Sequence, residues 1–180
     1  HGEAKVTLED CTVTGEDYAL RIFESNNTNE PVEGSSASLT VQGGTYTGDV
    51  RISRKDVDAN GENNANGSTI TVTGGSFDSS VAQYADSSLQ YEAVTADGKQ
   101  FPYHKTVEEA ITAAGSGGNI SLIAGETAEK ADTVTLDYGY DNIKYTVKVP
   151  AGEKLSLPTA NRTGYTFQGW YLNNSKITEY

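Results

Sequence analysis

One acidic segment has the residue spacing of a metal-binding loop. In Asp56–Glu62, oxygen-bearing side chains occupy alternate positions and Gly61 suits a sharp turn, as at the start of a calcium loop. The twelfth position of such a loop, where a bidentate carboxylate should lie, is Gly67. The sequence therefore favours a solvated acidic loop, with calcium binding as the alternative, and we predict no metal site and no cofactor.

Catalytic groups are sparse in the sequence. A nucleophile needs a base within hydrogen-bond reach, and His104 is the only histidine besides the first residue. It lies beside a predicted turn, so we expect a surface histidine. Cys11 is the only cysteine, which excludes an intrachain disulfide and fits a small strand or turn residue. The 25 acidic residues make some carboxylate pair nearly inevitable, so they do not indicate a glycosidase. We predict no catalytic residue.

Some polar and aromatic side chains have types that could contact a sugar. Arg21 and Arg51 could together bind an acidic sugar, because guanidinium groups pair with carboxylates. Outward-facing charged residues more often solvate a sheet, and we favour that interpretation. Trp170 and Tyr171 could stack on a sugar ring, although we favour a place in the core of a small module. The two rows at equivalent repeat positions are Glu9, Gln42 and Thr73, and Arg21, Arg51 and Ala82.

The charge of the chain bounds its partners. It has 13 basic and 25 acidic residues, a net charge of −12, which disfavours nucleic acid or an anionic membrane surface as partner. No run approaches the roughly 18 apolar residues of a membrane span, so we predict no membrane insertion. The chain contains no Met, and His1-Gly2 resembles a tag remnant. We therefore expect the chain to be a piece of a longer, processed protein. We also expect the chain to be a monomer.

A repeat organises the first half of the chain. The segments Val6–Val13, Leu39–Tyr46 and Ile70–Phe77 share alternating apolar residues, with starts 33 and 31 residues apart. Such periods are typical of stacked architectures. A corner divides each of these segments into two short strands, and a third short strand is predicted after them. Three strands in each repeat suggest three sheets. We therefore predict a right-handed parallel β-helix over residues 3–95. The further strands are Leu20–Ile22, Val50–Ile52 and Val81–Gln83.

Small residues mark the corner after the first strand of each repeat. Two repeats have a Gly pair there and the first has Asp10-Cys11. These residue types suit a corner that needs positive φ. The Gly pairs are Gly43-Gly44 and Gly74-Gly75.

A strand, helix and strand follow, over residues 96–130. Ala96–Lys99 predicts a hairpin turn between the strands Tyr91–Val94 and Phe101–Tyr103. Thr106 and Glu109 form a capping box for a short helix with one apolar stripe. We expect this segment to cap the β-helix and to end in a linker. The stretch 98–124 resembles the unit "dGk.Y.t.eeAI.aA..G..I.Li", which is common beside β-helical regions in bacterial surface proteins.

The last part of the chain, residues 131–180, has its own pattern. Thr133–Leu136 and Tyr145–Val149 alternate like paired strands. The stretch Arg162–Tyr171 reads RTGYTFQGWY, and Gly152 and Pro158 precede it. This string resembles the signature of the Listeria-Bacteroides repeat, also called the internalin B-repeat type, of secreted and wall-attached bacterial proteins. The resemblance implies a small β-grasp-like spacer module, which we expect to be truncated at its C-terminus.

Together these features favour a non-enzymatic structural and adhesive segment of a bacterial surface or secreted protein. We expect an extracellular location, with loops presented on stacked strands and the small module acting as a spacer. The expected partner is a glycan or protein of a host or a cell wall. Two alternatives stay open, the C-terminal part of a β-helical carbohydrate-active enzyme and a carbohydrate-binding module without chemistry.

Overall fold

β-Strands form most of the fold. The computed structural model describes residues 3–23, 36–53, 67–123 and 130–180, and the chain divides into two compact units, His1–Ser88 and Leu89–Tyr180. The predicted acidic loop Asp56–Glu62 lies outside the described residues.

Parallel strands stack in register in the first unit. One sheet has the order β1-β3-β5, and Val6 pairs with Leu39, which pairs with Ile70. In the second sheet β4 pairs in parallel with both β2 and β6. The first unit is therefore a parallel β-solenoid, as predicted, and each turn of two strands is called a rung below. The strands are β1 (Glu3–Leu8), β2 (Cys11–Phe23), β3 (Ser36–Val41), β4 (Gly44–Ser53), β5 (Thr69–Val72) and β6 (Ser76–Phe77).

The prediction of three strands per repeat and three sheets is wrong. In the described part of the first unit, the second and third strands predicted for the first repeat form the single strand β2. Those predicted for the second repeat form the single strand β4. The pairing of β2 with β4 shifts register between Thr14 and Leu20. Such a bulge bends a strand without ending its ladder, so two apolar runs can share one sheet. In the last repeat the segment Val81–Gln83 enters a 3₁₀ turn over Ala82–Tyr84 rather than a strand.

The corners between the two sheets have the predicted backbone geometry. Positive φ angles occur at Asp10 (41°), Gly44 (95°) and Gly75 (108°). Aspartate tolerates this region better than most residues, which explains how the first corner forms without glycine. The expectation from the small residues is confirmed.

The interior of the solenoid is made of stacked apolar rows. Leu39 and Ile70 are 9% and 6% exposed, whereas Val6, at the same position of the first rung, is 50% exposed. In the second sheet the rings of Tyr46 and Phe77 stack with centroids 5.0 Å apart. Stacking one rung on the next is therefore what buries the apolar face.

The second unit contains a mixed sheet of five strands and a two-stranded hairpin. The sheet has the order β10-β11-β9-β7-β8, with β11 parallel to β9 and the other pairs antiparallel. The hairpin pairs β12 with β13. The elements are β7 (Tyr91–Val94), β8 (Phe101–His104), α1 (Val107–Ala114), β9 (Asn119–Leu122), β10 (Ala131–Asp137), β11 (Lys144–Pro150), β12 (Trp170–Leu172) and β13 (Ser175–Ile177).

The helix α1 begins and ends as its sequence predicts. The Thr106 side chain accepts a hydrogen bond from the Glu109 backbone N–H, and the Glu109 side chain accepts one from the Thr106 N–H. Gly115 follows the last turn with a φ of 67°. The side chains of Val107, Ala110 and Ala114 are buried, which confirms the predicted apolar stripe.

One hydrophobic core joins the strands on both sides of residue 130. It includes Ile120 of β9, Val147 of β11 and Leu155, which are each 1% exposed or less. The backbone of Leu155 exchanges two hydrogen bonds with Tyr180, at 2.9 and 3.1 Å. The division into residues 3–95, 96–130 and 131–180 stays a prediction, and the segments 96–130 and 131–180 contribute strands to the same sheet.

Candidate ligand-binding cleft

A cleft lined by aromatic side chains opens on the second unit. Two loops form its walls, one after β10 and one before β12, and its volume is about 270 Å³. Its lining includes five aromatic side chains and one arginine, namely Tyr138, Tyr140, Tyr165, Phe167, Trp170 and Arg162. We call this site the aromatic cleft.

The first wall is a tight turn that connects β10 to β11. Asp137 Oδ1 accepts a hydrogen bond of 2.9 Å from the Gly139 N–H, and the Tyr138 N–H donates to the carbonyl of Ile143 at 3.1 Å. Asp141 and Asn142 adopt positive φ angles of 51° and 53°. The turn therefore fixes the backbone that carries Tyr138 and Tyr140.

The second wall is the loop that leads into β12. The Tyr165 N–H donates to the carbonyl of Arg162 at 3.1 Å, which closes a turn. The indole N–H of Trp170 donates to the carbonyl of Pro158 at 2.6 Å. A hydrogen bond of 3.2 Å from the Tyr140 hydroxyl to the Asn161 carbonyl joins the two walls. The two side-chain hydrogen bonds hold the rings of Tyr140 and Trp170 in place.

The rings differ in their exposure. Tyr138 contacts Trp170 edge to face, with centroids 5.1 Å apart and an angle of 89° between the planes. Both side chains are partly buried, and both pack against the core of the second unit. Phe167 packs on Trp170 at 5.7 Å but remains 38% exposed, and Tyr165 is 67% exposed. The cleft thus has a fixed aromatic base and an accessible aromatic rim.

Arg162 connects the aromatic residues of the two walls. Its guanidinium carbon lies 4.4 Å from the centroid of the Tyr140 ring and 4.1 Å from that of Tyr165. Both distances are within the range of cation–π attraction. These contacts restrict the rotamers of a long side chain before any ligand binds.

The charges in the cleft follow from the local contacts. Burial, with smaller contributions from Tyr145, Tyr140 and Glu108, raises the pKa of Tyr138 to about 12, so this phenol stays neutral at pH 7. The hydrogen bond from Lys144, followed by that from the Gly139 N–H, lowers the pKa of Asp137 below its usual value. The Asp137 carboxylate is therefore ionised, and Lys144 Nζ lies 2.8 Å from Oδ2.

The aromatic cleft is suited to binding. Aromatic faces carry negative quadrupole charge and attract the polarised C–H groups of a sugar ring. The Arg162 guanidinium adds several N–H donors of fixed geometry. The arrangement can therefore combine stacking on an apolar ring face with hydrogen bonds to polar substituents.

The two aromatic residues proposed from the sequence have different environments. Trp170 packs against the core of the second unit and also lines the cleft. Tyr171 is 58% exposed, so its predicted place in the core is wrong. Successive side chains of a strand point to opposite faces, which separates these neighbours in β12.

The paired arginines of the solenoid lie side by side. Arg21 and Arg51 are partners in the β2–β4 ladder. Arg21 Nε donates to Ser53 Oγ at 2.6 Å, and Arg51 Nε lies 2.6 Å from Asp49 Oδ2. Tyr18 packs against both guanidinium groups. The structure thus brings the two arginines together, and protein groups occupy part of their binding capacity.

The row Glu9, Gln42 and Thr73 lies just after the strands of the first sheet. The backbone N–H of Gln42 donates to Leu8 at 2.9 Å, and that of Thr73 donates to Val41 at 2.8 Å. Thr73 Oγ1 also donates to the Val41 carbonyl, at 3.2 Å. These bonds link successive rungs.

Cys11 is the first residue of β2 and is partly buried. Its Sγ lies 3.3 Å from the Tyr46 hydroxyl. This placement agrees with a small strand residue. Among the described residues, no group of three His, Cys, Asp or Glu side chains could hold a metal ion.

His104 is not in a surface turn, contrary to the sequence expectation. It is the last residue of β8, pairs with Tyr91 and is partly buried. Its buried Nε2 has no hydrogen-bond partner among the described residues. Burial lowers the pKa of His104 below 6.5, and the Glu109 carboxylate offsets part of this effect.

The stability of the chain should therefore depend on the protonation of His104. The folded-state pKa is below the unfolded value of 6.5, so the unfolded state binds the proton first as the pH falls. The stabilisation is complete above pH 6.5 and is lost as the pH decreases toward the folded-state pKa. Melting temperatures across this range should fall more steeply for the native chain than for His104→Gln. Equal pH slopes for the two proteins would contradict the prediction.

Most residues of the aromatic cleft were not identified as a site from the sequence. Tyr138 and Tyr140 occur in a predicted turn, and Arg162, Tyr165 and Phe167 occur in the RTGYTFQGWY string. The sequence signal that could have identified this site is the high density of aromatic residues next to glycines in two loops. The distance between those loops in the sequence concealed their proximity.

Among the described residues, none of the helices is both long enough and apolar enough to cross a membrane. Comparison with known proteins finds no match: no family model, no curated protein sequence and no solved structure is similar to the chain.

Proposed function

We propose that the chain is a non-enzymatic adhesive and structural segment of a bacterial surface or secreted protein. In this proposal the aromatic cleft of the second unit binds a glycan of a host or a cell wall, and the solenoid is a rigid spacer. The observation that carries the proposal is the cleft itself, in which partly buried and exposed aromatic rings line a cavity of about 270 Å³. The bacterial, extracellular origin rests on the resemblance of Arg162–Tyr171 to the Listeria-Bacteroides repeat.

The exposure of the cleft rings supports binding of a ligand with apolar faces. Tyr165 and Phe167 keep 67% and 38% of their surfaces in solvent, although a hydrophobic core lies beside them. Large apolar groups that are exposed together commonly mark a binding surface. A sugar ring satisfies both parts of the cleft, because it has C–H faces for stacking and hydroxyl groups for the polar rim.

The ladders of the first unit support a spacer role. Val6, Leu39 and Ile70 are in register, and the backbone bonds of both sheets run from rung to rung. Each repeat contacts its neighbours in such an array, so the solenoid can extend a binding unit from its attachment point.

A glycan array probed with the whole chain tests the proposed function. We expect selective binding to a set of glycans and at least about a tenfold loss of affinity in Tyr165→Ala, the loss expected for removing an important contact residue. Tyr171→Ala is the matched control, because Tyr171 is 58% exposed and does not line the cleft. Loss of binding in both variants, or no glycan bound by the native chain, would overturn the proposal.

A further inference from the structure

We infer that the aromatic cleft selects acidic sugars, with the Arg162 guanidinium binding a carboxylate on the sugar ring. This inference rests on the proposed glycan-binding function and adds the chemical class of the ligand. The observation behind it is a cation held among aromatic rings at the rim of the cleft.

Among the described residues, the side-chain contacts of Arg162 are with tyrosine rings, which leaves its hydrogen-bond donors available to a ligand. Its guanidinium carbon lies over the faces of Tyr140 and Tyr165, at 4.4 and 4.1 Å. Contacts of this kind use the charge and the flat surface of the guanidinium, whereas its N–H groups lie in the guanidinium plane. The ion pairs found among the described residues involve Lys5, Arg51, Lys144 and Lys154 but not Arg162. An anionic ligand is thus a suitable partner for these donors.

The geometry of the guanidinium favours a carboxylate. Two parallel N–H groups of arginine match the two oxygens of a carboxylate, which gives a bidentate pair. The two tyrosine rings already restrict the long side chain, so binding loses less conformational entropy. An acidic sugar would therefore place its ring on an aromatic face and its carboxylate on Arg162.

The acidic group of the cleft does not cancel this preference. Asp137 also lines the cleft, but Lys144 Nζ lies 2.8 Å from its carboxylate. Tyr138 is a neutral phenol at pH 7, and burial raises its pKa further, to about 12. Arg162 is consequently the charged group of the lining that has no ion-pair partner among the described residues.

A pair of ligands that differ only in charge tests the inference. The affinity of the whole chain is measured by calorimetry for oligogalacturonides and for their fully methyl-esterified forms, which keep the sugar rings and remove the charge. We expect the native chain to bind the acid at least about ten times more tightly than the ester. We also expect the affinity for the acid to fall as the salt concentration rises.

Three variants locate the effect. Arg162→Gln should bind the acid and the ester with equal affinity, because it removes the positive charge that distinguishes them. Arg162→Lys should retain part of the preference, because it keeps the charge but loses the bidentate geometry. Lys148→Gln makes the same charge change at an exposed position outside the cleft and should keep the full preference. Thermal melts confirm that each variant is folded.

The outcomes separate this inference from the proposed function. Equal binding of the acid and the ester by the native chain overturns the acidic preference but leaves a glycan-binding cleft. A preference that survives in Arg162→Gln overturns the role of Arg162. No binding to either ligand or to any glycan on the array overturns both proposals.

Discussion

Replacing Phe77 by alanine is expected to lower the free energy of unfolding of the first unit by about 3–5 kcal/mol, the usual cost of removing a buried phenylalanine ring. Phe77 is 1% exposed, and its ring stacks on that of Tyr46 with 16° between the planes. The substitution removes one member of this row and leaves a cavity beside the other. Chemical denaturation measures the decrease in the free energy of unfolding. Hydrogen exchange at the amides of β4 and β6 then shows whether the loss is located in these strands.

Tyr46→Phe is the control for the loss of Phe77. It keeps the stacked ring and removes the hydroxyl, which donates to the Gly43 carbonyl at 2.8 Å and lies 3.3 Å from the Cys11 thiol, a weak hydrogen-bonding group. One neutral hydrogen bond contributes about 1 kcal/mol, so the control should be much less destabilised. A smaller effect for Phe77→Ala than for Tyr46→Phe would contradict a core built on ring stacking.

Replacing Gly44 by alanine should destabilise the first unit by about 2–5 kcal/mol. The φ angle of 95° costs an L-residue about 1–2 kcal/mol, and overpacking in a close-packed site adds about 1–3 kcal/mol. A Cβ at this position would lie only 2.0 Å from the backbone oxygen of Cys11 in the preceding rung. The clash involves backbone on both sides, so no side-chain movement relieves it. The melting temperature of the first unit measures the effect.

Gly67→Ala separates the two components of this cost. Gly67 has a φ of 75°, yet a Cβ added there would meet no described atom within 4 Å. Only the backbone component, about 1–2 kcal/mol, should appear there. If both variants lost the same free energy of unfolding, the steric contact between successive rungs at Gly44 would not contribute to the destabilisation.

The repeated pattern was sufficient to predict the ladders of the first unit. Val6, Leu39 and Ile70 are aligned by their alternation alone, and the structure pairs these same residues. The capping box at Thr106 was equally predictable, because it depends on residues three positions apart. Local spacing and repeated spacing are the two kinds of information that a single sequence displays directly.

Other features depend on contacts that the sequence does not display. The bulge after Thr14 keeps β2 continuous where the sequence analysis predicted two separate strands. The parallel pairing of β9 with β11 joins segments with no shared pattern. The cleft forms because Tyr140 and Arg162, which are 22 positions apart in the chain, contact each other. The composition of the two loops does not predict which of their residues come into contact.

The constant register of the solenoid has a consequence for how its length can change. The starts of successive repeats are 33 and 31 residues apart, yet Val6, Leu39 and Ile70 pair without offset. The difference in length is absorbed outside the ladder of the first sheet. A gene duplication or deletion of one repeat would therefore preserve the packing of its neighbours. Each such event would change the length of the solenoid by about 4.8 Å, the distance between hydrogen-bonded strands.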